Sequence, residues 1–409
     1  MASSELRNLT KKQKEKAVDD DDRISQLPDA LLVQILSLLP VEDAVTSCVL
    51  SKRWRYLWTC IHSFIFRDRN YNKVENFISF VDHVLTHSTC SKIKKFQLYF
   101  HHTEWKLESK ISQWLSFAVE NKVEDVVLDS YPCDDDPSYE LPLSMYTCSS
   151  LVTLYLSHWV FDERLTIAWN SLKSLTLHST ELEDDDVVML LSSCPALETM
   201  ELLFCEGCHR LEFTCSNLKS LTLISPSQPL FGGYDCLEIF APYLQHLDIS
   251  GELFDFKCRL VNVSSLVTAN LTFNICCITD GWEEDDIEED SCRDHHQDIR
   301  NLVLDYLEKL SHATELIIES WFAEVVFMLQ LEGVMLPELR CKCLNLKLQC
   351  RDIPCQLEQS YFDEVDNINF PSWIPNTVFP NLKNVNIVGD EARCLKSGQK
   401  RAFVRFLNF

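Results

Sequence analysis

The sequence predicts an α/β chain. A small three-helix module at the N-terminus precedes a solenoid, with parallel strands on its concave face and helices and irregular segments on its convex face. Three observations predict this. Residues 27–58 carry three short apolar patterns at helical spacing. A six-residue frame with apolar groups at its first, fourth and sixth places recurs between Ile93 and Leu271. Hydrophobic residues make up 46% of the 409, enough to bury a large core.

Charge narrows the function classes. The net charge is -25 and the pI about 4.8. Phosphate backbones and anionic membranes are therefore not expected as partners, because the electrostatic attraction has the wrong sign. The opening MASSELRNLTKKQKEK is polar, and the apolar run from Leu27 to Leu39 is too short and interrupted to span a bilayer. An intracellular setting, cytoplasmic or nuclear, is expected. There the 19 cysteines stay reduced and act as small buried hydrophobes, and the sequons at Asn8, Asn262 and Asn270 carry no message.

Residues 1–22 hold lysines and then the run Asp19–Asp22, with few large apolar groups, so a disordered tail is expected. Lys11, Lys12, Lys14 and Lys16 read either as an import signal or as solvated charge. A helix is predicted next. Pro28 suits its first turn, Asp29 complements its dipole, and Leu31, Leu32, Ile35, Leu36 and Leu39 recur at helical steps until Pro40. VEDAVTSCVL predicts a second short helix with Val45, Cys48 and Val49 on one side. SKRWRYLW predicts a third, capped by Ser51 and lined by Trp54, Leu57 and Trp58. A unit this small cannot cover its own apolar surface. With no metal ligands or paired cysteines in it, a partner is expected to complete it.

The stretch DRISQLPDALLVQILSLLPVEDAVTSCVLSKRWRYLW, residues 22–58, resembles the F-box of plant F-box/leucine-rich-repeat proteins. The DRIS-x-LPD opening, the LP closing the first helix, the DAV and the LSKRWR-x-LW ending carry the likeness. The resemblance implies docking of residues 23–60 on the Skp-type adaptor of a cullin-based ubiquitin ligase. It places Leu27 and Pro28 in the adaptor groove and Leu31, Ile35, Leu36 and Leu39 against the adaptor's C-terminal helices. Val45, Val49, Leu50 and Trp54 would extend that contact, and part of this set must also hold the three helices together. Similar F-boxes carry a Thr or Ser cap where Val41 stands, a difference of about 1 kcal/mol at that helix start.

Residues 61–92 are expected to form a helical linker, with Val74, Phe77, Ile78, Val81 and Leu85 at helical spacing. Repeats are expected over 93–275. Their frames are Ile93/Phe96/Leu98, Val123/Val126/Leu128, Leu151/Leu154/Leu156, Leu172/Leu175/Leu177, Leu197/Met200/Leu202, Leu218/Leu221/Leu223, Leu244/Leu247/Ile249 and Leu266/Ala269/Leu271. Such a frame at roughly 20–29 residues is the leucine-rich-repeat signature, in which the fourth and sixth places point into the core. Ile111–Val119 and Asp185–Cys194 are expected in the outer helical layer. Residues 276–300, with DGWEEDDIEEDSCRDHHQD, are expected to be a mobile acidic insertion. Over 301–409 weaker frames return at Ala313/Leu316/Ile318, Cys341/Leu344/Leu346 and Leu382/Val385/Ile387. The closing PSWIPNTVFPNLKNVNIVG resembles a partial FBD region, which implies a shortened and poorly capped end.

Sites for chemistry are scarce. Cys205-Glu-Gly-Cys208-His209 has the spacing of haem attachment but sits at a strand exit, where buried thiols are the expected reading. Zinc would need a second ligand pair, which Cys276-Cys277, Cys341/Cys343 and Cys350/Cys355 do not supply at matching spacing. Phosphate-cradling glycine motifs are absent. No cofactor or metal is expected, and no catalytic residues. Substrate is expected on two concave ladders, Thr153, Ser174, Thr199, Ser220 and His246, and Tyr155, Thr176, Glu201, Thr222 and Asp248. The expected role is a non-catalytic ligase subunit that binds a protein substrate. The alternative is a repeat scaffold or receptor that binds the adaptor without assembling an active ligase.

Overall fold

The computed structural model describes residues 24, 26–68, 71, 73–101, 105–131, 139–162, 166–225, 236–253, 257–275, 289–348 and 378–389. The tail 1–22, most of the acidic stretch and the chain beyond 389 lie outside them. The chain divides into two units, Met1–Val127 and Leu128–Phe409. No helix among the described residues is long and apolar enough to cross a membrane.

In the first unit α1 spans Asp29–Leu36 and α2 Val41–Thr46. Tight 3-10 turns follow over Ser47–Val49 and Trp54–Cys60. The expected second helix thus breaks into α2 and a turn. Helix α1 stops earlier than the apolar run suggested, and Ser37 closes it by donating its hydroxyl to the Val33 carbonyl at 2.8 Å. Ser51 does not cap with its side chain; its carbonyl accepts the Trp54 amide at 3.1 Å. Pro40 takes the cap position of α2, and Val41 is fully buried, so apolar packing stands where a capping hydroxyl was expected.

The segment 61–92 corrects the expectation of a helical linker. It opens with a strand, β1 (Ser63–Arg67), before α3 (Val74–His87). Then come β2 (Lys95–Phe100), α4 (Trp105–Glu120) and β3 (Asp125–Ser130), within which the division between units falls. β1 and β2 run parallel, Phe64 opposite Phe96 and Phe66 opposite Leu98. Alternation explains the strand: Phe64 and Phe66 point inward and are buried, as a two-residue period requires. Helices α3 and α4 cover the same core with Phe77, Val81, Leu115 and Ala118. They are tied together by Asp82, which accepts from the Trp114 indole at 2.8 Å and from Lys110 at 2.7 Å.

The second unit contains β4 (Tyr139–Glu140), α5 (Leu143–Tyr146), β5 (Thr153–Ser157), β6 (Trp159–Val160), β7 (Ser174–His178) and α6 (Asp184–Ser193). It continues with β8 (Thr199–Leu203), β9 (Arg210–Glu212), β10 (Ser220–Ile224), β11 (Cys236–Phe240), β12 (His246–Leu253), β13 (Lys257–Asn262) and β14 (Thr268–Ile275). It ends with α7 (Glu289–Lys309), β15 (Glu315–Glu319), α8 (Ser320–Leu331), β16 (Cys343–Leu348) and β17 (Asn384–Gly389). The order in its main sheet is β5-β7-β8-β10-β12-β14-β15-β16-β17.

The register aligns each frame with the next. Leu154, Leu175, Met200, Leu221, Leu247 and Ala269 pair in sequence, and all are buried. Each repeat therefore covers its apolar face only against its neighbours. A second, shorter parallel set in the order β13-β11-β9 lies outside the frames. Leu211, Leu237, Ile239, Cys258 and Leu260 are its buried residues.

The expected acidic insertion 276–300 is partly helical: α7 begins at Glu289 and packs on β13. Tyr306 anchors it by donating its hydroxyl to the Cys258 carbonyl. The charged residues that suggested a mobile segment include the first turns of an amphipathic helix whose apolar face, with Val303, Tyr306 and Leu307, comes later.

Candidate functional site

The N-terminal head, residues 26–60, has an inside and an outside set by helix geometry. On α1, Leu32 and Leu36 lie four residues apart and are buried. Leu31 and Ile35 form the neighbouring stripe and stand exposed. Val41, Ala44, Trp54, Leu57, Trp58 and Ile61 close the interior. Trp58 meets α3, its ring 6.2 Å from His83 and 6.4 Å from His87. Tyr71, set against Phe77 at 5.4 Å, has its hydroxyl pKa raised by burial and then by Glu42 of α2.

The remainder of its own unit covers one side of the head, where β1 packs on α2 and Trp58 meets α3. What remains outside is an apolar surface. Pro28, Leu31, Ile35, Leu39, Val49 and Leu50 are all exposed, Val49 to 78%, while Leu27 and Val45 are half-buried. Leu36 and Trp54, expected at the adaptor contact, are 1% and 7% exposed and belong to the interior.

Leu38, 81% exposed, joins the surface together with Ile24 and Tyr56. Sequence reading missed Leu38 because the helical frame was continued through a turn. Arg53 holds the entry to α1. Its guanidinium donates to Asp29 at 2.7 Å and to the Leu27 carbonyl, fixing the Leu-Pro step that the motif presents.

The second candidate surface is the strand face opposite the core of unit two. Thr153, Ser174, Thr199, Ser220 and His246 pair in one row. Tyr155, Thr176, Glu201, Thr222 and Asp248 pair in the next. All ten share one face, as the two-residue period demands. Eight are half-buried, His246 is exposed, and Thr176 is buried with its hydroxyl donated to Glu201 at 3.0 Å. The rows continue beyond these ten residues. Asn270 donates to Asp248 at 2.7 Å, Asn345 to Glu315 at 3.1 Å and Asn386 to Asn345 at 2.7 Å.

At the strand exits His158, Ser179, Phe204 and Ser225, and within β12 Gly251, all have positive φ, between 42° and 90°. Each of the first four donates its amide to a carbonyl of the neighbouring strand in the main sheet, at 2.8 to 3.0 Å. The resulting column of left-handed turns admits four side chains that rarely adopt that conformation.

The Cys205/Cys208 pair lies beside this column. Cys205 donates its thiol to the Leu177 carbonyl at 3.4 Å and Cys208 to that of Leu182 at 3.3 Å. Burial pushes the two thiols up to about 11 and about 12. They are packed, hydrogen-bonded groups, and such thiols are poor nucleophiles. No group of three or more His, Cys, Asp or Glu with metal-holding geometry occurs among the described residues.

Comparison with known proteins matches both parts of the chain. A family model described as the F-box domain matches residues 24–65. One described as the LRR repeats of FBD-associated F-box protein At5g56370 matches residues 111–272. Among curated Arabidopsis thaliana proteins, F-box/LRR-repeat protein At3g03360 is 30% identical over 338 residues, 80% of this chain and 65% of that protein. F-box/LRR-repeat protein At3g26922 is 33% identical over 258 residues, covering 62% of this chain and 82% of that protein. F-box/FBD/LRR-repeat protein At5g56420 is 32% identical over 255 residues, 61% and 60% of the two chains. The chain spans less than two thirds of the length of two of these relatives, 65% and 60%.

Proposed function

Since this chain belongs to the F-box/LRR-repeat family, we propose that it is a substrate receptor of a Skp-cullin-F-box ubiquitin ligase. In this reading the head docks on the Skp-type adaptor, and the strand face of unit two binds a protein to be ubiquitinated. The observation that carries it is the apolar surface of Leu31, Ile35, Leu38, Leu39, Val49 and Leu50. Those residues stay outside although the head already has a closed interior, and an apolar surface of this kind marks a protein interface.

The receptor performs no chemistry of its own. It raises the effective concentration of substrate near an enzyme held elsewhere on the cullin. The same reading places the protein in the cytoplasm or nucleus. The test is co-expression with a Skp-type adaptor and a cullin, followed by capture on the chain. A stoichiometric complex with both is expected, and Leu31→Asp with Ile35→Asp should abolish it while unit two keeps its melting transition. Adaptor recovered without cullin would overturn the ligase assignment, and no adaptor at all would overturn docking.

A further inference from the structure

The strand face of unit two also specifies the chemistry of its occupant; this inference rests on the receptor reading above. An aromatic strip runs along it. The Tyr155 ring stacks 6.4 Å from His178, and His178 stands edge-on 5.4 Å from Phe204. Phe204 is 48% exposed and has φ 53°, so its left-handed turn holds a large ring out toward solvent. Ser179 and Ser225 occupy the equivalent turn in the adjoining repeats, which shows that the turn itself does not need an aromatic group.

Two strands further on, the second row changes from aromatic to acceptor. Asp248 spends Oδ2 on the Asn270 amide at 2.7 Å. Asp248 Oδ1 and Asn270 Oδ1 are both buried and have no hydrogen-bond partner among the described residues. Asp248 and Asn270 are register partners on adjacent strands, and beyond Asn270 the row meets Ile317, which has no donor to offer. Buried acceptors without a donor are costly, and a ligand that brings only donors relieves that cost.

Charge points the same way. Glu201, Asp248, Glu315 and Glu319 lie on this face against one described lysine, Lys347. A guanidinium brings donors and no acceptor, pairs with carboxylates and stacks flat on aromatic rings.

The geometry points to an extended, arginine-bearing basic segment of the substrate protein as the occupant of this face. One guanidinium meets Asp248 and Asn270, and another cation lies on the strip formed by Phe204, His178 and Tyr155. The net charge of -25 draws such a segment in and repels acidic ones.

The test uses the full chain bound to the adaptor and three fluorescein-labelled twelve-residue peptides, in which Ser alternates with Arg, Lys or Glu. Binding is read by anisotropy. The Arg peptide should bind best, the Lys peptide more weakly, and the Glu peptide not measurably. Glu201→Gln with Asp248→Asn should weaken the Arg peptide at least tenfold, and Phe204→Ser should weaken it severalfold. Asp185→Asn with Glu212→Gln removes the same charge elsewhere and should leave binding within twofold. Equal losses from the two double variants would show attraction to bulk charge only and overturn the proposal. So would preference for the Glu peptide, or no binding of the Arg peptide. Each variant is checked for adaptor capture and circular dichroism. Capture retained with peptide binding absent overturns this inference alone, whereas capture absent from the unaltered chain overturns the receptor reading.

Discussion

Leu36 and Leu38 are two residues apart, and replacing each with alanine should produce opposite phenotypes. Leu36 is 1% exposed and Leu38 81%. Leucine to alanine removes carbon worth about 0.8 kcal/mol per methylene, about 2.4 kcal/mol for the side chain. Loss of packing around an unfilled cavity brings the usual range to about 2–5 kcal/mol. Leu36→Ala should lower the stability of the first unit by that amount, read from urea titration of tryptophan fluorescence. Adaptor affinity should then fall only as the folded fraction falls. Leu38→Ala should change stability by less than about 0.5 kcal/mol, as surface substitutions do. If the adaptor buries the exposed four-fifths of this side chain, the loss is about 1.2–2.4 kcal/mol, a roughly ten- to fiftyfold weaker Kd by calorimetry. Unchanged affinity on Leu38→Ala, or weakened affinity with full stability on Leu36→Ala, would refute the division of the head into interior and docking surface.

Two further outcomes follow from unit two. Gly251 has φ 90°, and a Cβ there would lie 2.2 Å from Ser225 Oγ and 3.0 Å from its amide nitrogen. Gly251→Ala should cost about 1–3 kcal/mol by thermal unfolding, and adding Ser225→Gly should recover only part, since the backbone conformation is unaffected. Burial, and then His158, hold the His178 pKa below the ordinary imidazole value, with Asp129 opposing. The folded chain therefore binds this proton less readily than the unfolded one. Its contribution is complete above the ordinary value of about 6.5 and is lost as pH falls through the folded pKa. His178→Gln should flatten the decline in Tm on acidification, and an equally steep decline in the variant would remove His178 from the explanation.

Much of unit two was legible because its signal is local and periodic. The fourth and sixth frame positions are inward because strands alternate, and repetition made a weak pattern specific. β1 escaped notice because HSFIFR has aromatic rather than leucine spacing and only five strand residues between helical stretches. The start of α7 was hidden by the acidic residues of its first turns. For the head, helix spacing separated Leu32 and Leu36 from Leu31 and Ile35. Which stripe of α1 faces inward is set by its packing on the Trp54–Cys60 turn, a contact between segments that periodicity alone does not report. The left-handed column was invisible because His158, Ser179, Phe204 and Ser225 are not the residues that normally announce such a turn. One practical result concerns grafting. A head cut at residue 60 would lose the contact of Trp58 with His83 and His87, so the transplantable piece extends to the unit boundary at Val127.

The parallel register of the main sheet has a metrical consequence. Neighbouring strands are spaced by about 4.8 Å, whereas an extended chain advances about 3.4 Å per residue. A polypeptide laid across the strands falls into step with them most closely where five strand intervals, about 24 Å, match seven residues, about 23.8 Å. The two lattices behave as a vernier. Such a target is read at a few widely separated coincidences, so the interval between its anchors discriminates more sharply than their number.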